Sequence, residues 1–410
     1  MRLFNESLEL QTPRKIMKSN QHICHLVLNN IGGAPRTANS LISTQSQAGY
    51  KVSTIVLTDL DLQWMVDFKA AEKLIIMKVA GNLFYIGGAI HQIWIAIKLS
   101  KVIAELKPDI IVCHTAFITK LFYLSQLITG SVKTPYISYL HTDFISELHG
   151  ESKNNSLIRI FQNLSIGVDQ RISLSSLQQA SGLVFVCKSI YERLLNLGLN
   201  PRQMEVSYNP AMTDTSNQPL NPIAESWLKN QGLITFVSAA RFHYQKDHPT
   251  LLKAFALASQ HYSNIRLILL GDGNLETEMQ EFANSLNISD IVLFAGTVTN
   301  PRAYFLLSRA VILASHYEGF GMVLVEAVAS GVTFIASDCP VGPREISEVL
   351  ECGCLVPPND VDALSKAIIN HIETPKEIID RSEKIERLFS ESSCASKLEI
   401  LIDKVLQEKT

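Results

Sequence analysis

Residues 233–273, LITFVSAARFHYQKDHPTLLKAFALASQHYSNIRLILLGDG, decide the fold. A β-rich apolar run at 233–239 gives way to a polar loop and then to a helical pattern from Thr250. A second apolar run at 266–270 follows and stops at Gly271-Asp272-Gly273. Two short apolar runs separated by a helix-length segment read as parallel strands joined by a crossover helix. The same alternation continues with strands at 292–295, 310–314, 333–337 and 354–356, and with helices from Leu275, Pro301, Met322, Pro343 and Val361 between them. In the first half the expected strands are 22–28, 52–57, 110–113, 136–139 and 183–187, separated by helices such as 37–48 and 92–106. The chain is therefore α/β, with two Rossmann-like parallel-sheet lobes facing an inter-domain cleft.

A chain of 410 residues exceeds what one hydrophobic core organises, which agrees with two lobes. The expected division is an N-terminal lobe at 1–210, a linker at 211–222 rich in Pro, Asn, Ser and Thr, and a C-terminal lobe at 223–385. A helical segment at 386–410 is expected to pack back on the first lobe. A net charge of −3 gives no footprint for a nucleic-acid partner. Seven cysteines scattered from Cys24 to Cys394 suggest neither a disulfide framework nor a zinc site, and Cys352 and Cys354 read as small hydrophobes beside a strand. The first 25 residues lack the apolar core of a signal peptide, and the apolar run 83–99 is interrupted by His91, Gln92 and Lys98. That run reads as a helix whose Ile86, Ile90, Ile93 and Ile97 face a sheet, and the expected setting is the cytoplasm. Ser189 and Glu192 fit a capping box after the last strand of the first lobe.

Open parallel sheets bind ligands beyond the carboxyl ends of their strands, and the unusual polar residues of the second lobe fall there. Arg241 and Lys246 follow its first strand, Gly271-Asp272-Gly273 its second, and Glu318-Gly319-Phe320-Gly321 its fourth. Glu326 comes eight residues after Glu318. Paired cations at a strand end can stabilise the charge that develops on a departing nucleoside diphosphate without a metal. The Gly-Phe-Gly turn before an apolar helix presents backbone N–H groups to an oxygen of phosphate or sugar. Two carboxylates about two turns apart can address separate parts of one extended ligand.

The segment 233–358 resembles the C-terminal domain of the family-4 retaining glycosyltransferases of GT-B fold. Ala240-Arg241 with Lys246, Gly271-Asp272-Gly273 and the two glutamates carry the resemblance, and the run 337–346 is similar to bacterial enzymes of surface glycans. Gly32-Gly33-Ala34-Pro35-Arg36 resembles the glycine loop of that family near the donor phosphates, with Gly33 the ligand-facing residue. The loop lacks dinucleotide-binding spacing and the phosphate-loop lysine. His141 matches a family histidine that reaches the donor sugar from the opposite lobe, and Tyr208-Asn209-Pro210 resembles the junction segment. Three positions depart from the family: Ala240 replaces the usual glycine before the arginine, Asp247 replaces the usual glycine after the lysine and puts an anion near the phosphate site, and Pro35 stands where an acid is common.

The resemblance implies a retaining, metal-independent hexosyltransferase of bacterial surface polysaccharide synthesis. The donor is a nucleotide sugar, UDP-linked, and no separate cofactor is needed. The acceptor is a glycan or a polyprenyl-diphosphate-linked glycan. In this reading Arg241 and Lys246 hold the phosphate, Glu318 and His141 the sugar, Glu326 the ribose, and the backbone around Val298 the base. Gly33, Gly271, Gly273, Gly319, Phe320 and Gly321 complete the donor site. A nucleotide-sugar epimerase, another GT-B enzyme such as a glycan phosphorylase, and a non-catalytic sugar-nucleotide binder are the alternatives. Phe117, Leu121, Leu124 and Ile128, with Lys120 and Lys133 nearby, give either a core-facing helix or a face for the anionic inner surface of the cytoplasmic membrane.

Overall fold

The computed structural model describes residues 21–28, 33–58, 68–78, 88–130, 133–142, 169–211, 219–374 and 380–408. Gly32, Ile86 and most of the connection, at 212–218, lie outside them. The first sheet holds seven strands: β1 His22–Leu28, β2 Lys51–Thr58, β3 Lys73–Lys78, β4 Ile110–His114, β5 Tyr136–Leu140, β6 Gly182–Phe185 and β7 Met204–Val206. The second holds six: β8 Ile234–Ala239, β9 Ile265–Leu270, β10 Val292–Gly296, β11 Ala310–Leu313, β12 Phe334–Ser337 and β13 Cys354–Val356. Their orders are β3-β2-β1-β4-β5-β6-β7 and β10-β9-β8-β11-β12-β13, and every recorded pairing is parallel. Each sheet is thus doubly wound, with a switch point between β1 and β4 in one lobe and between β8 and β11 in the other.

The first lobe's helices are α1 Gly33–Gln47, α2 Gly88–Leu106, α3 Ala116–Thr129, α4 at 169–178 and α5 Lys188–Asn196. The second carries α6 Pro222–Lys229, α7 His248–Ser259, α8 Glu276–Ser285, α9 Arg302–Phe305, α10 Met322–Ala329, α11 Pro343–Leu350 and α12 Val361–Glu373. Two more, α13 Ser382–Phe389 and α14 Glu391–Gln407, end the chain. Strands covered on both faces read as continuous apolar runs, and β4 and β5 are buried throughout. The edge strand β3 differs, because Leu74 and Ile76 are exposed, and neither β3 nor the three-residue β7 was expected from the sequence.

The helix expected over the apolar run is present as α2, but its buried stripe is Ile95, Leu99 and Ile103, while Ile93 is 44% exposed. A helix apolar around most of its circumference offers more than one stripe, and packing against α3 and the sheet selects among them. Trp94 is exposed with Ile93, and Lys98 lies 3.4 Å over its ring. On α3, Leu121 is buried and Lys120 is buried against Asp169 at 2.6 Å, whereas Leu127 and Ile128 are exposed. No helix among the described residues is long and apolar enough to cross a membrane.

The lobes meet through backbone and aromatic contacts. A Cβ on Gly319 would run into the His141 carbonyl oxygen, and Phe320 stacks on Tyr208 at 5.3 Å between ring centroids. Gly342, at φ 95°, lies so close to Phe320 that a side chain there would meet the Phe320 backbone. The last helix, α14, packs on α1, β6 and β7 of the first lobe, where Leu401 fills the space in front of Gly182.

The expected capping box at Ser189 and Glu192 is not formed. The cap position of α5 is Cys187, two residues before Ser189, and its side chain makes no capping bond. Glu192 pairs with Lys188 at 3.3 Å instead. The first-turn amides of Lys188 and Ser189 donate to Glu345 on α11 of the other lobe, at 2.9 and 3.2 Å, and the Tyr208 hydroxyl joins at 3.0 Å. A carboxylate at a helix N-terminus satisfies orphan amides and meets the positive end of the helix dipole. Replacing Glu345 by alanine is therefore expected to cost about 1 to 2 kcal/mol, the range for a lost cap, read as a lower unfolding midpoint in urea. A midpoint equal to that of the parent protein would show that the inter-lobe cap is energetically idle.

Candidate functional site

The site of the second lobe is built around the switch point between β8 and β11. After β8 the chain enters the loop 240–247, which is fastened by its alternate residues. Phe242 is fully buried and stacks on His248 and Phe294, and its backbone N–H donates to Asp272 O at 2.8 Å. That anchoring leaves Arg241 exposed before it and starts a 3₁₀ turn, Tyr244–Lys246, after it. Gly271 and Gly273 have φ of 134° and 154°, and a Cβ on either would collide with the backbone of Ala240 or Phe242. The close packing of two strand-end loops accounts for both glycines and holds the Gly271-Asp272-Gly273 turn beside Arg241.

Lys246 and Glu318 are brought into direct contact. The Lys246 ammonium donates to Glu318 Oε1 at 2.5 Å, and Ser315 Oγ donates to the same oxygen at 2.6 Å. Glu318 is buried at 5% exposure, so this pair and the serine hydroxyl are what make its charge tolerable there. An ammonium has three donors, and this geometry commits one of them to Glu318. The anion of Asp247, expected near the phosphate site, is occupied otherwise. Asp247 takes the left-handed conformation (φ 45°), accepts from Thr250 N at the start of α7 and lies 3.5 Å from His316 Nδ1. Aspartate thus occupies a left-handed position, and its carboxylate caps a helix start.

Past Glu318, Gly321 turns with φ 93° into α10, so Glu318 precedes that helix and Glu326 lies within it. Burial pushes the Glu326 carboxyl up to about 7, while the Arg36 guanidinium on α1 of the other lobe pulls it down. Gly33 begins α1 three residues before Arg36, and a Cβ there would meet nothing among the described residues. Val298 follows β10 and packs half-buried against the core.

From the first lobe, His141 follows β5 and abuts the Glu318 turn through its carbonyl group. Its ring is buried and engaged on both nitrogens: Nε2 is 3.1 Å from His114 Nδ1, and Nδ1 is 3.2 Å from Asn209 Oδ1. Burial lowers its pKa to about 3, so the ring is neutral at ordinary pH. Sequence reasoning missed His25 and His114, both fully buried, as well as Ser315 and Glu345, and it took Arg36 and Asn209 only as parts of a loop and a junction. A histidine inside an otherwise apolar buried strand, as in HICHLVL, was the available signal. Among the described residues no group of three His, Cys, Asp or Glu side chains could hold a metal ion.

Two family patterns match the chain: "Glycosyltransferase Family 4" over residues 31–215 and "Glycosyl transferases group 1" over residues 221–387. The chain is 26% identical over 254 residues to an uncharacterized glycosyltransferase of Methanocaldococcus jannaschii, covering 61% of this chain and 60% of that protein. It is 27% identical over 294 residues to the lipopolysaccharide 1,6-galactosyltransferase of Escherichia coli K12, covering 69% of this chain and 72% of that one. The crystal structure of Anabaena HepE in complex with UDP-glucose shares its fold, with a TM-score of 0.69 at 18% identity over 93% of this chain and 99% of that one.

The Glu326 environment yields a pH prediction. A carboxyl whose folded value lies above its free value favours the folded state most in acid, and this contribution is lost as pH rises through about 7. Carboxyl-carbon NMR of glutamate-labelled protein should show one resonance titrating near 7 that is absent in Glu326→Gln. Because Arg36 opposes the shift, Arg36→Ala should move that midpoint higher still; a lower or unchanged midpoint would separate the two residues.

Proposed function

The chain belongs to glycosyltransferase family 4, and on that premise we propose that it transfers a hexosyl unit, with retention at the anomeric carbon, from a UDP-linked sugar to a glycan of bacterial surface polysaccharide. The observation that carries this reading is the Lys246–Glu318 contact at the switch point of the second sheet, with Arg241 on the same loop and His141 closing on the Glu318 turn from the other lobe. The galactosyltransferase relative supports a lipopolysaccharide or other glycan acceptor, and the UDP-glucose complex of the structural neighbour supports the donor class. The acceptor is free or carried on a polyprenyl diphosphate.

In the proposed reaction Arg241 and the remaining donors of Lys246 meet the diphosphate as its bond to the anomeric carbon lengthens. Glu318, held by Lys246 and Ser315, accepts from hydroxyls of the sugar, and Glu326 accepts from the ribose. The incoming acceptor hydroxyl attacks on the face the diphosphate leaves, giving its proton to a phosphate oxygen, so that no enzyme nucleophile is required. In this reading the backbone amides of Gly319, Phe320 and Gly321 ahead of α10 would donate to a sugar or phosphate oxygen, and Val298 would offer its backbone to the base. Catalysis by these cations needs no metal, and turnover is expected to persist in EDTA.

Mass spectrometry of products from UDP-hexoses with lipid-linked and soluble glycan acceptors tests the activity itself; donor consumption without an acceptor-linked product would overturn it. Arg241→Ala and Lys246→Ala should each lower turnover by about 10²- to 10³-fold, the cost of a removed charge-stabilising donor. Near-normal rates in both would remove the phosphate role.

The two glutamates should separate by assay. Calorimetry with free UDP should show Glu326→Ala binding roughly 10- to 150-fold more weakly, the equivalent of about 1.5 to 3 kcal/mol. Glu318→Ala should keep most UDP affinity and lose transfer. Equal UDP affinity in the parent protein and Glu326→Ala would refute the ribose assignment.

We also propose contact with an anionic membrane surface. Its apolar face is Ile93 and Trp94 on α2 with Leu127 and Ile128 on α3, in place of the buried Leu121 and Lys120. Weak, salt-sensitive co-sedimentation with anionic vesicles is expected at low ionic strength. Protein found wholly in the supernatant would exclude it.

A further inference from the structure

Three histidines on neighbouring strands form one hydrogen-bonded row. His25 lies on β1, His114 ends β4 and His141 follows β5, in the order in which these strands pair. Register sets the arrangement: Val27 pairs with His114 and His114 with Tyr139, so each histidine stands two residues beyond the partner of the one before. Steps of two keep all three rings on one face of the sheet and carry the row diagonally toward its carboxyl edge. The centroids are 5.2 and 5.4 Å apart and the rings nearly parallel, a spacing close to that of adjacent strands. His25 Nδ1 is 2.8 Å from His114 Nε2, and His114 Nδ1 is 3.1 Å from His141 Nε2. An amide closes each end: Gln45 on α1 at 2.7 Å from His25 Nε2, and Asn209 at 3.2 Å from His141 Nδ1. The rings bond to one another and do not converge on a common point, so they make no metal site.

A count of hydrogens limits what this row can be. Burial lowers the pKa of all three rings, to about 4 for His25 and about 3 for His141, so each is neutral and carries one N–H. Four hydrogen bonds need four hydrogens, and three neutral imidazoles supply three. One terminal amide must therefore present its NH₂ group. As oriented, Gln45 Oε1 faces His25 while Gln45 Nε2 is buried without a partner. Turning that amide over places the unpartnered donor on His25, and Asn209 already offers its oxygen at the other end. Every bond then points the same way, with hydrogen on Nδ1 of each ring.

We propose that Gln45, His25 and His114 are positioning residues that lock His141 in the Nδ1–H tautomer at the edge of the cleft. The lock does not relay protons. Reversing it would require one proton to leave at His141 Nδ1 and another to enter at His25 Nε2, and His25 is sealed from solvent and ends on an amide that does not give one up. The polarity is set when the lobe folds. His141 accordingly faces Asn209, and any ligand oxygen that displaces Asn209, as a hydrogen-bond donor. This inference rests on the histidine geometry and stands or falls apart from the transferase reading.

The test is imidazole ¹⁵N NMR of the full chain labelled at histidine, with the three rings assigned by single His→Gln variants. The expected spectrum has a protonated-type Nδ1 and an unprotonated-type Nε2 on all three rings. Hydrogen on Nε2 of His141, or an average of both tautomers, would overturn the proposal. Gln45→Glu puts an obligate acceptor at the far end and should move the hydrogen to Nε2 on all three rings, including His141 two rings away. A change confined to His25 would show that the rings are not coupled. Should that variant not fold, Asn209→Asp supplies the complementary result: an obligate acceptor at the near end should leave the parent pattern unchanged, and a shift to Nε2–H would overturn the lock.

Discussion

The two lobes approach so closely at Gly319 that no side chain fits between its backbone and the His141 carbonyl group. That contact sets the distance at which everything else must work. It brings the Glu318 turn, at the end of the fourth strand of one sheet, against the end of β5 in the other. Phe320 then falls on Tyr208, Gly342 must give way to Phe320, and Glu345 reaches the open amides of α5. Both glycines are tied to backbone proximity: Gly319 removes a Cβ that would push the lobes apart, and Gly342 one that would displace Phe320 within the second lobe. A cleft with charge at its edges is the geometric result.

Within that cleft the Lys246 and Glu318 charges are already paired before any ligand arrives. Lys246 is held by Glu318, and Glu318 also by Ser315. Asp247, which by sequence position looked like an opposing charge, accepts from Thr250 N at the start of α7 and lies 3.5 Å from His316 Nδ1. Arg241 is the exposed cation of the loop, projecting because Phe242 beside it is anchored in the core. Preorganisation of this kind reduces the reorganisation needed when charge develops on a bound group.

Much of the fold was legible in the chain because parallel strands covered on both faces are simple apolar runs with helices between them. The strands from β8 to β13 fall within a residue or two of their expected limits. β3 escaped because it is an edge strand exposing Leu74 and Ile76, and β7 because three residues, one of them charged, carry no periodicity. The stripe of α2 was misread because an apolar helix does not state which side is inward. Among the candidate residues, the strand-end placement of Lys246, Glu318 and the glycines follows from sequence order along a doubly wound sheet, whereas the direct contact of Lys246 with Glu318 was not foreseen. The histidine row does not, since it depends on the register among three strands whose histidines are 27 and 89 residues apart in sequence. The cap on α5 was equally hidden, because its carboxylate comes from residue 345 of the opposite lobe.

The return of α14 to the first lobe also bears on how the protein is made. Leu401 covers Gly182, Lys397 bonds the Val206 carbonyl at 2.9 Å, and the Phe389 carbonyl accepts from Ala211 N at 2.8 Å. The face formed by β6 and β7 is thus sheltered by residues that are translated after the whole second lobe. During synthesis the second lobe, contiguous in the chain, emerges with its own covering helices, while the first waits with an uncovered apolar side. Completion of the earlier lobe therefore follows translation of the later one, and a nascent chain stalled before residue 391 carries the sticky surface that quality control recognises.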